Sequence, residues 1–307
     1  MIYTITLNPA IDLVLESSSI QLGQLNRIDQ EEYLTGGKGI NISRILNRMG
    51  QRNIATGFLG GFTGDYIIET LNKEGIETLF ISIDDLTRVN VTIQAEEITD
   101  LNTKGPEIPP EAVQELIEYL SGHVTRDDTV FIAGDVAPGI DSEFFHKLAT
   151  LCLHNETHLV LDINKPYLIE CLAYHPFLIK PNLKELSDIF EIDIKTVEEI
   201  IQYAKKLQER GARNVLVSRG ADGAILVTEE GQILMSKVPK GEVINAVGAG
   251  DAMIAGFIKA YVDTQDYSSS LGYATAAGSA TAFSTGLADI DEINTLVSHV
   301  TVDTYNG

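Results

Sequence analysis

The amino-acid sequence predicts an α/β protein with a doubly wound, mostly parallel sheet, helices on both faces and a small second β-sheet. Short apolar runs alternate with segments of helical periodicity along most of the 307 residues. Two segments, 12–35 and 87–103, instead show strand-like alternation with no intervening helix. The length suits one large α/β domain, or a domain that carries a small accessory piece.

The first half of the chain supplies strands and helices in turn. Gly50 and Gly75 stand just beyond two periodic segments, as is typical of helix ends, and prolines occupy the first turn of a third segment. We therefore expect strands at 2–7 and 129–133 and helices at 40–49, 65–74 and 109–120.

The second half continues the alternation. We expect helices at 142–153 and 196–210 and strands at 159–163, 177–180 and 214–218. The two exceptional segments should pair as a small antiparallel sheet that forms a lid. The expected division is an α/β core of residues 1–11, 36–86 and 104–307 and a β lid of residues 12–35 and 87–103.

Composition and charge narrow the functional classes. The formal net charge is −22, which argues against a nucleic-acid or anionic membrane surface because both select basic faces. The two cysteines are too few for a disulfide framework or a metal cluster, and we expect them to be reduced in a cytoplasmic protein. The N-terminus lacks the basic region of a signal peptide, and no apolar run reaches the ~18 residues of a membrane span.

The first candidate site is the run Gly-Gly-Lys-Gly-Ile-Asn at 36–41, directly before a predicted helix. Glycines let the backbone approach a ligand, and a helix N-terminus attracts anions. Lys38 adds a positive charge and Asn41 a directional polar group, so the run suits a phosphate or a polyol. A glycine turn with a solvated lysine is the alternative.

The second candidate site is the run Val-Gly-Ala-Gly-Asp at 247–251, which opens an apolar helix. The amides of residues 248–251 could form an anion nest, and Asp251 would stand beside it. Phosphoryl transfer needs such a pair, since one part holds the phosphate and the other accepts a hydroxyl proton. The alternative is an aspartate that only caps the helix.

Two further motifs follow predicted strands. Asn182 and Glu185 could form a capping box, or could lie near a metal–triphosphate. Ser218, Gly220 and Gly223 belong either to a plain hairpin or to a nucleotide-phosphate loop. All four motifs lie at strand ends or helix starts, where open α/β sheets bind ligands.

These residues resemble the ribokinase-like (PfkB) family of sugar kinases over about residues 1–300. Both halves of the family signature match, at 36–41 and 247–251. Further stretches at 6–12, 25–27, 60–65, 87–90, 180–186 and 279–284 are similar to the bacterial members that phosphorylate fructose 1-phosphate. The resemblance implies a ribokinase-like fold with a small β-sheet lid that often mediates a dimer.

The resemblance also implies roles for individual residues. Asp251 would be the catalytic base, beside an anion hole of Gly248, Ala249 and Gly250. The sugar phosphate would be held by Asp12, Gly37, Lys38, Asn41, Arg88 and Asn90, with Arg27 and Lys104 as further candidates at its phosphate end. ATP and magnesium would face Lys180, Asn182, Glu185, Ser218, Gly220 and Gly223, with Glu185 acting on the metal indirectly.

One stretch departs from the family pattern. Asp135 stands where relatives usually carry a small hydroxyl residue, near the expected sugar site. A carboxylate there would repel a phosphate but could hydrogen-bond a sugar hydroxyl. The departure bears on the identity of the substrate and leaves the chemistry unchanged.

The expected reaction is ATP- and Mg²⁺-dependent phosphorylation of fructose 1-phosphate at C6. Tagatose-6-phosphate kinase activity is the alternative within the family, and a non-catalytic sugar-phosphate sensor is the alternative outside enzymes. The expected partners are small molecules, with no nucleic acid and no membrane. A homodimer formed through the lid is a further expectation.

Overall fold

The structure of the protein is a computed structural model that describes residues 1–305. Two sheets account for its strands. The strands are β1 (Ile2–Thr6), β2 (Ala10–Glu16), β3 (Gln30–Gly36), β4 (Ile54–Gly60), β5 (Glu77–Ile83), β6 (Arg88–Gln94), β7 (Ile98–Leu101), β8 (Thr129–Gly134), β9 (His158–Ile163), β10 (Leu178–Ile179), β11 (Asn214–Ser218), β12 (Ala224–Val227), β13 (Ile233–Lys237) and β14 (Thr301–Thr304).

The main sheet has the order β14-β13-β12-β11-β10-β9-β8-β1-β4-β5. Its pairs from β11 to β5 are all parallel, and β12, β13 and β14 extend it as an antiparallel edge. The central strands are buried apolar runs, as expected for a parallel sheet covered on both faces.

Helices cover both faces of this sheet. They are α1 (Lys38–Arg48), α2 (Gly61–Lys73), α3 (Pro110–His123), α4 (Ser142–His154), α5 (Lys165–Cys171), α6 (Leu183–Phe190), α7 (Val197–Glu209), α8 (Ala249–Thr264), α9 (Tyr267–Ala282) and α10 (Ile290–Val297). Side chains of α3 to α7 build the core on one face, and those of α1, α8, α9 and α10 build it on the other. The predicted doubly wound fold is confirmed.

The four-stranded second sheet has the order β3-β2-β6-β7. Its outer pairs are antiparallel, but the central pair β2–β6 is parallel, so the expectation of an antiparallel sheet was wrong for that pair. Both central strands leave the core in the same direction, after β1 and β5, and this common exit makes them parallel. The chain therefore crosses between the core and this sheet at four neighbouring places.

Most predicted elements occur with small shifts in their ends. The helix expected at 65–74 begins earlier, at Gly61, and the strand expected at 177–180 is only two residues long. Strands β4 and β5 were missed, although both are needed to reach the edge of the parallel sheet. Among the described helices, none is long and apolar enough to cross a membrane.

Candidate active site

The carboxyl ends of β11, β10, β9, β8 and β1 lie side by side at one edge of the main sheet. Parallel strands bring their C-terminal polar residues to the same edge, where open α/β sheets bind ligands. An open cleft of about 620 Å³ lies there, beneath the second sheet. Of the residues expected in the site, those that line it are Asp12, Gly37, Lys38, Asn41, Arg88, Asn90, Lys180, Asn182, Glu185, Ser218, Gly220, Gly248, Gly250 and Asp251.

The N-terminus of α8 points into this cleft. Gly248 is the N-cap with φ 77°, a left-handed conformation that glycine adopts without strain. Within the described residues, the amides of Gly250 and Asp251 have no protein acceptor, so they are free for an anion. The Ala249 amide, expected to join them, instead donates to the carbonyl of Ala246 at 3.2 Å.

Within the described residues, the Asp251 carboxylate accepts a hydrogen bond from Asn41 and none from an amide of its own helix, which argues against the capping alternative. It is 6% exposed, and its Oδ2 accepts a 2.8 Å hydrogen bond from Nδ2 of Asn41. Burial and the nearby charge of Asp162 raise the pKa of Asp251 to about 7, against the opposing effects of Asn41, Lys38 and Lys180. A carboxyl group with a pKa near neutrality suits a general base.

Asp162 lies between two lysines at the end of β9. Its Oδ1 is 3.3 Å from Nζ of Lys38, and its Oδ2 is 3.4 Å from Nζ of Lys180, a pair in which both side chains are 6% exposed. Burial disfavours the ionised form, but the two lysines outweigh it and lower the pKa of Asp162. Asp162 thereby holds both positive charges beside Asp251.

Asn182 and Glu185 form the predicted capping box at the start of α6. The Asn182 side chain accepts from the Glu185 amide, and Glu185 Oε2 accepts from the Asn182 amide, both at 2.8 Å. Both residues also line the cleft, so the two interpretations of this motif are compatible. Within residues 1–305, no three His, Cys, Asp or Glu side chains converge as a ready-made metal cage.

Arg88 begins β6 and closes the far end of the cleft. Its Nη1 donates to the Thr103 carbonyl at 3.0 Å and its Nη2 to the Asn8 carbonyl at 2.9 Å. Burial lowers the pKa of Arg88, against the opposing effects of Asp135 and Asp12. Next to it, Nδ2 of Asn90 donates to Oδ1 of Asp12 at 2.9 Å.

Some expected residues lie outside this cleft. Arg27 is exposed in the loop between β2 and β3, and the structure does not bring it to the cleft of its own chain. Lys104 lines an adjoining cavity of about 540 Å³ together with Arg88 and Asp135. Gly223 closes the hairpin turn between β11 and β12, where its amide donates to the carbonyl of Gly220.

Sequence reasoning missed several residues of the cleft, above all Asp162, Asn8 and Thr6. A carboxylate inside the apolar run His-Leu-Val-Leu-Asp-Ile is the signal that could have found Asp162, because a buried charge requires a partner. Asp135, singled out from the sequence, lines the cleft and lies 3.4 Å from Nδ2 of Asn164.

Comparisons with known proteins agree with this architecture. The family model described as pfkB family carbohydrate kinase matches residues 3–294. The chain is 38% identical to the 1-phosphofructokinase of Bacillus subtilis over 302 residues, which is 98% of this chain and 99% of the relative. It is 39% identical to the D-tagatose-1-phosphate kinase of Bacillus licheniformis over 303 residues, again 98% and 99% of the two chains.

Solved structures give the same result. A candidate phosphofructokinase from Staphylococcus aureus superposes with a TM-score of 0.91 at 36% identity, over 100% of both chains. Phosphofructokinase-2 from Escherichia coli in complex with fructose-6-phosphate superposes with a TM-score of 0.88 at 25% identity, over 97% of this chain and 98% of that chain.

Proposed function

The chain belongs to the pfkB family of carbohydrate kinases, and we propose that it transfers the γ-phosphoryl group of ATP to the C6 hydroxyl of fructose 1-phosphate. The products would be fructose 1,6-bisphosphate and ADP. The observation that carries the proposal is the position of Asp251, a buried carboxylate beside free helix amides in a cleft lined by lysine and arginine.

In this reaction Asp251 accepts the proton of the attacking hydroxyl. Phosphoryl transfer passes through a loose transition state, so the position of the carboxylate matters more than its basicity. The amides of Gly250 and Asp251 face the charge that develops on the transferred group. Asn41 fixes the carboxylate through its 2.8 Å hydrogen bond.

The cleft reconciles a net charge of −22 with two anionic substrates. Charges on the outer surface are screened beyond ~8 Å at physiological salt, so local charges decide binding. Lys38 and Lys180 stand beside the free amides of α8, and Arg88 lies at the opposite end under the second sheet. ATP would occupy the side of Ser218 and Gly220, and the sugar phosphate the side of Arg88.

Magnesium is expected to arrive with ATP. Mg²⁺ keeps several waters and binds substrate phosphates through one or two carboxylates, which fits a chain with no complete metal cage among its described residues. Glu185 lines the cleft and Asp162 lies next to both lysines, so these carboxylates could hold its hydration shell. When bound, the ion would neutralise charge on the transferred phosphoryl group.

A second substrate has its own support. The relative from Bacillus licheniformis is named for D-tagatose 1-phosphate, the C4 epimer of fructose 1-phosphate, and its identity to this chain is 39%. Asp135 lines the cleft as an exposed carboxylate and could accept a hydrogen bond from a sugar hydroxyl. Tagatose 1-phosphate is therefore the second candidate, and tagatose 6-phosphate remains the alternative expected from the sequence.

A non-catalytic sensor would not need a buried carboxylate with a pKa of about 7 behind free helix amides. The lid function of the second sheet, the division into core and lid, and the cytoplasmic location remain predictions. So does a homodimer through the second sheet, which exposes Tyr33, Leu34, Ile98 and Leu101.

A phosphosugar panel tests the function. Purified protein is incubated with ATP, Mg²⁺ and either fructose 1-phosphate, tagatose 1-phosphate, tagatose 6-phosphate or fructose 6-phosphate, and ADP formation is measured with and without EDTA. We expect the highest kcat/KM with fructose 1-phosphate. Turnover of none of the four sugars would contradict the proposal, and a higher value with tagatose 1-phosphate would favour the second candidate.

Asp251→Asn is the control that excludes a contaminating kinase. Loss of a general base typically reduces kcat by ~10²–10⁴-fold. ATP binding, measured by calorimetry, should change little. A variant that keeps more than about a tenth of wild-type kcat would show that Asp251 is not the base.

A further inference from the structure

Asn8 lies where the core meets the second sheet. It follows β1, is 5% exposed, and precedes the crossing into β2. Its backbone carbonyl accepts the 2.9 Å hydrogen bond from Nη2 of Arg88 at the start of β6. Its side-chain Nδ2 donates a 2.9 Å hydrogen bond to the carbonyl of Lys104, which follows β7. One residue therefore joins three of the four crossings between core and second sheet.

The segment after β7 is shaped around this side chain. A Cβ on Gly105, which has φ 89°, would lie 2.3 Å from Oδ1 of Asn8, so only glycine leaves room for the amide. Arg88 reaches the same segment through its 3.0 Å bond to the Thr103 carbonyl. Asn8, Arg88 and residues 103–105 thus form one hydrogen-bonded unit, here called the crossing cluster.

The crossing cluster fixes the guanidinium of Arg88 at the far end of the cleft. Both of its outer nitrogens are held by backbone carbonyls, while its Nε is buried without a partner in the described residues. Arg88 is therefore bound to the crossings and also lines the cleft, and two of its five N–H groups are used by the carbonyls. The position of this charge depends on Asn8 and on the segment that Asn8 holds.

We propose that Asn8 is a positioning residue for the sugar phosphate. It acts through Arg88 and through residues 103–105, and sets where this arginine of the second sheet stands relative to the core. This inference rests on the proposed function. The bond to Lys104 requires the side-chain amide of Asn8, whereas the bond from Arg88 is accepted by the backbone carbonyl, which any residue supplies.

The test compares Asn8→Ala and the milder Asn8→Ser with Asn214→Ala. Asn214 is a matched control, since it is also a buried amide that joins two backbone segments, donating to the Phe177 carbonyl and accepting from the Glu229 amide. It begins β11, at the sheet edge opposite the cleft.

For the Asn8 variants we expect KM for the sugar phosphate to rise about five- to tenfold, the effect of about one lost hydrogen bond, with KM for ATP almost unchanged. Asn214→Ala should lower Tm, but it should not raise KM for the sugar phosphate relative to KM for ATP.

A double-mutant cycle shows whether Asn8 acts through Arg88. If it does, Asn8→Ala added to Arg88→Ala should raise KM for the sugar phosphate no further. Independent, multiplicative effects would overturn the proposal. So would a parallel rise of both KM values in the Asn8 variants.

Amide hydrogen exchange of the substrate-free protein gives a readout that needs no turnover. In Asn8→Ala, exchange should accelerate in residues 98–105 and at the start of β6, and remain unchanged in α7. Unchanged exchange in 98–105 would refute the crossing cluster even in an active kinase. A wild type that phosphorylates none of the sugars, with the expected exchange pattern, would instead refute the proposed function and leave the cluster intact.

Discussion

Asn41 and Asp251 are 210 residues apart in the sequence and are joined by a 2.8 Å hydrogen bond from the Asn41 amide to the Asp251 carboxylate. Asn41 lies in the first turn of α1 and Asp251 in the first turn of α8. The bond therefore links the two glycine-rich helix starts that the sequence brings out as separate motifs. Because it favours the ionised carboxylate, it acts against the burial that raises the pKa of Asp251.

This hydrogen bond bears on the acid limb of the pH profile, the low-pH range in which activity rises with pH. The proposed base Asp251 must be ionised to accept a proton. Because the pH dependence of kcat/KM reports pKa values of the free enzyme, kcat/KM should rise with pH through about 7, the pKa of Asp251. Asn41→Ala removes the hydrogen bond that favours ionisation and should move this limb to higher pH. Asn90→Ala is the control, because it removes a cleft amide bonded to Asp12 and should lower kcat/KM without moving the limb. An acid limb at the same pH in Asn41→Ala as in wild type would contradict the assignment of this limb to the ionisation of Asp251.

Asp162 should have the opposite effect on the same limb. Its negative charge raises the pKa of Asp251, and it also engages Lys38 and Lys180. In Asp162→Asn that charge is absent and both lysines remain, so the pKa of Asp251 should fall and the acid limb should move to lower pH. The loss of the lysine anchor should reduce kcat as well. A shift of the acid limb to higher pH would contradict the effect of Asp162 on the pKa of Asp251.

Arg88 is predicted to bind the phosphate of the sugar substrate. A hydrogen bond to a charged group is worth ~1.5–3 kcal/mol, so Arg88→Ala should raise KM for the sugar phosphate by on the order of tenfold or more. KM for ATP should move little. Arg88→Lys keeps the charge but loses the two-point geometry and should give an intermediate value. A variant whose only defect is in ATP affinity would show that Arg88 does not bind the phosphate of the sugar substrate.

The second sheet is predicted to close over the sugar. Amide exchange in β2 and β6 should slow when sugar phosphate saturates the enzyme, because Asp12, Arg88 and Asn90 on these strands line the cleft. Exchange in β12 and β13 at the far edge of the main sheet serves as the internal reference. If saturating ligand leaves both β2 and β6 unchanged, the sheet is not a lid.

The fold could be predicted from the sequence because its signals are local. Periodicity located most helices, and the capping box at Asn182 formed as expected because its partners are three residues apart. The parallel pairing of β2 with β6 could not be predicted, since it depends on where two distant strands leave the core. The ion pairs of Asp162 and the bonds of Asn8 were missed for the same reason, because their partners are distant in sequence and meet only in the folded sheet.

The pH dependence of stability gives the last prediction. The pKa of an aspartate is ordinarily 3.8, and burial raises that of Asp251 to about 7 in the folded protein. Between these pH values the folded chain binds a proton that the unfolded chain releases. The free energy of unfolding therefore falls progressively as pH rises from about 4 to 7, and the penalty levels off above 7. A tenfold difference in proton affinity between the two states corresponds to about 1.4 kcal/mol.

Asp251→Asn replaces the carboxyl group with an amide that does not ionise. The variant should therefore not lose stability as the pH rises from about 4 to 7 through this group. In denaturant unfolding without substrate, the free energy of unfolding of the variant should therefore exceed that of wild type at pH 8 by on the order of a few kcal/mol, with a smaller gain at pH 5. Asp65→Asn, at an exposed carboxylate on α2, should show no such growth of the difference with pH. An equal gain for Asp251→Asn at pH 5 and pH 8 would mean that the carboxylate is already ionised at pH 5, and that its pKa is not raised in the folded protein.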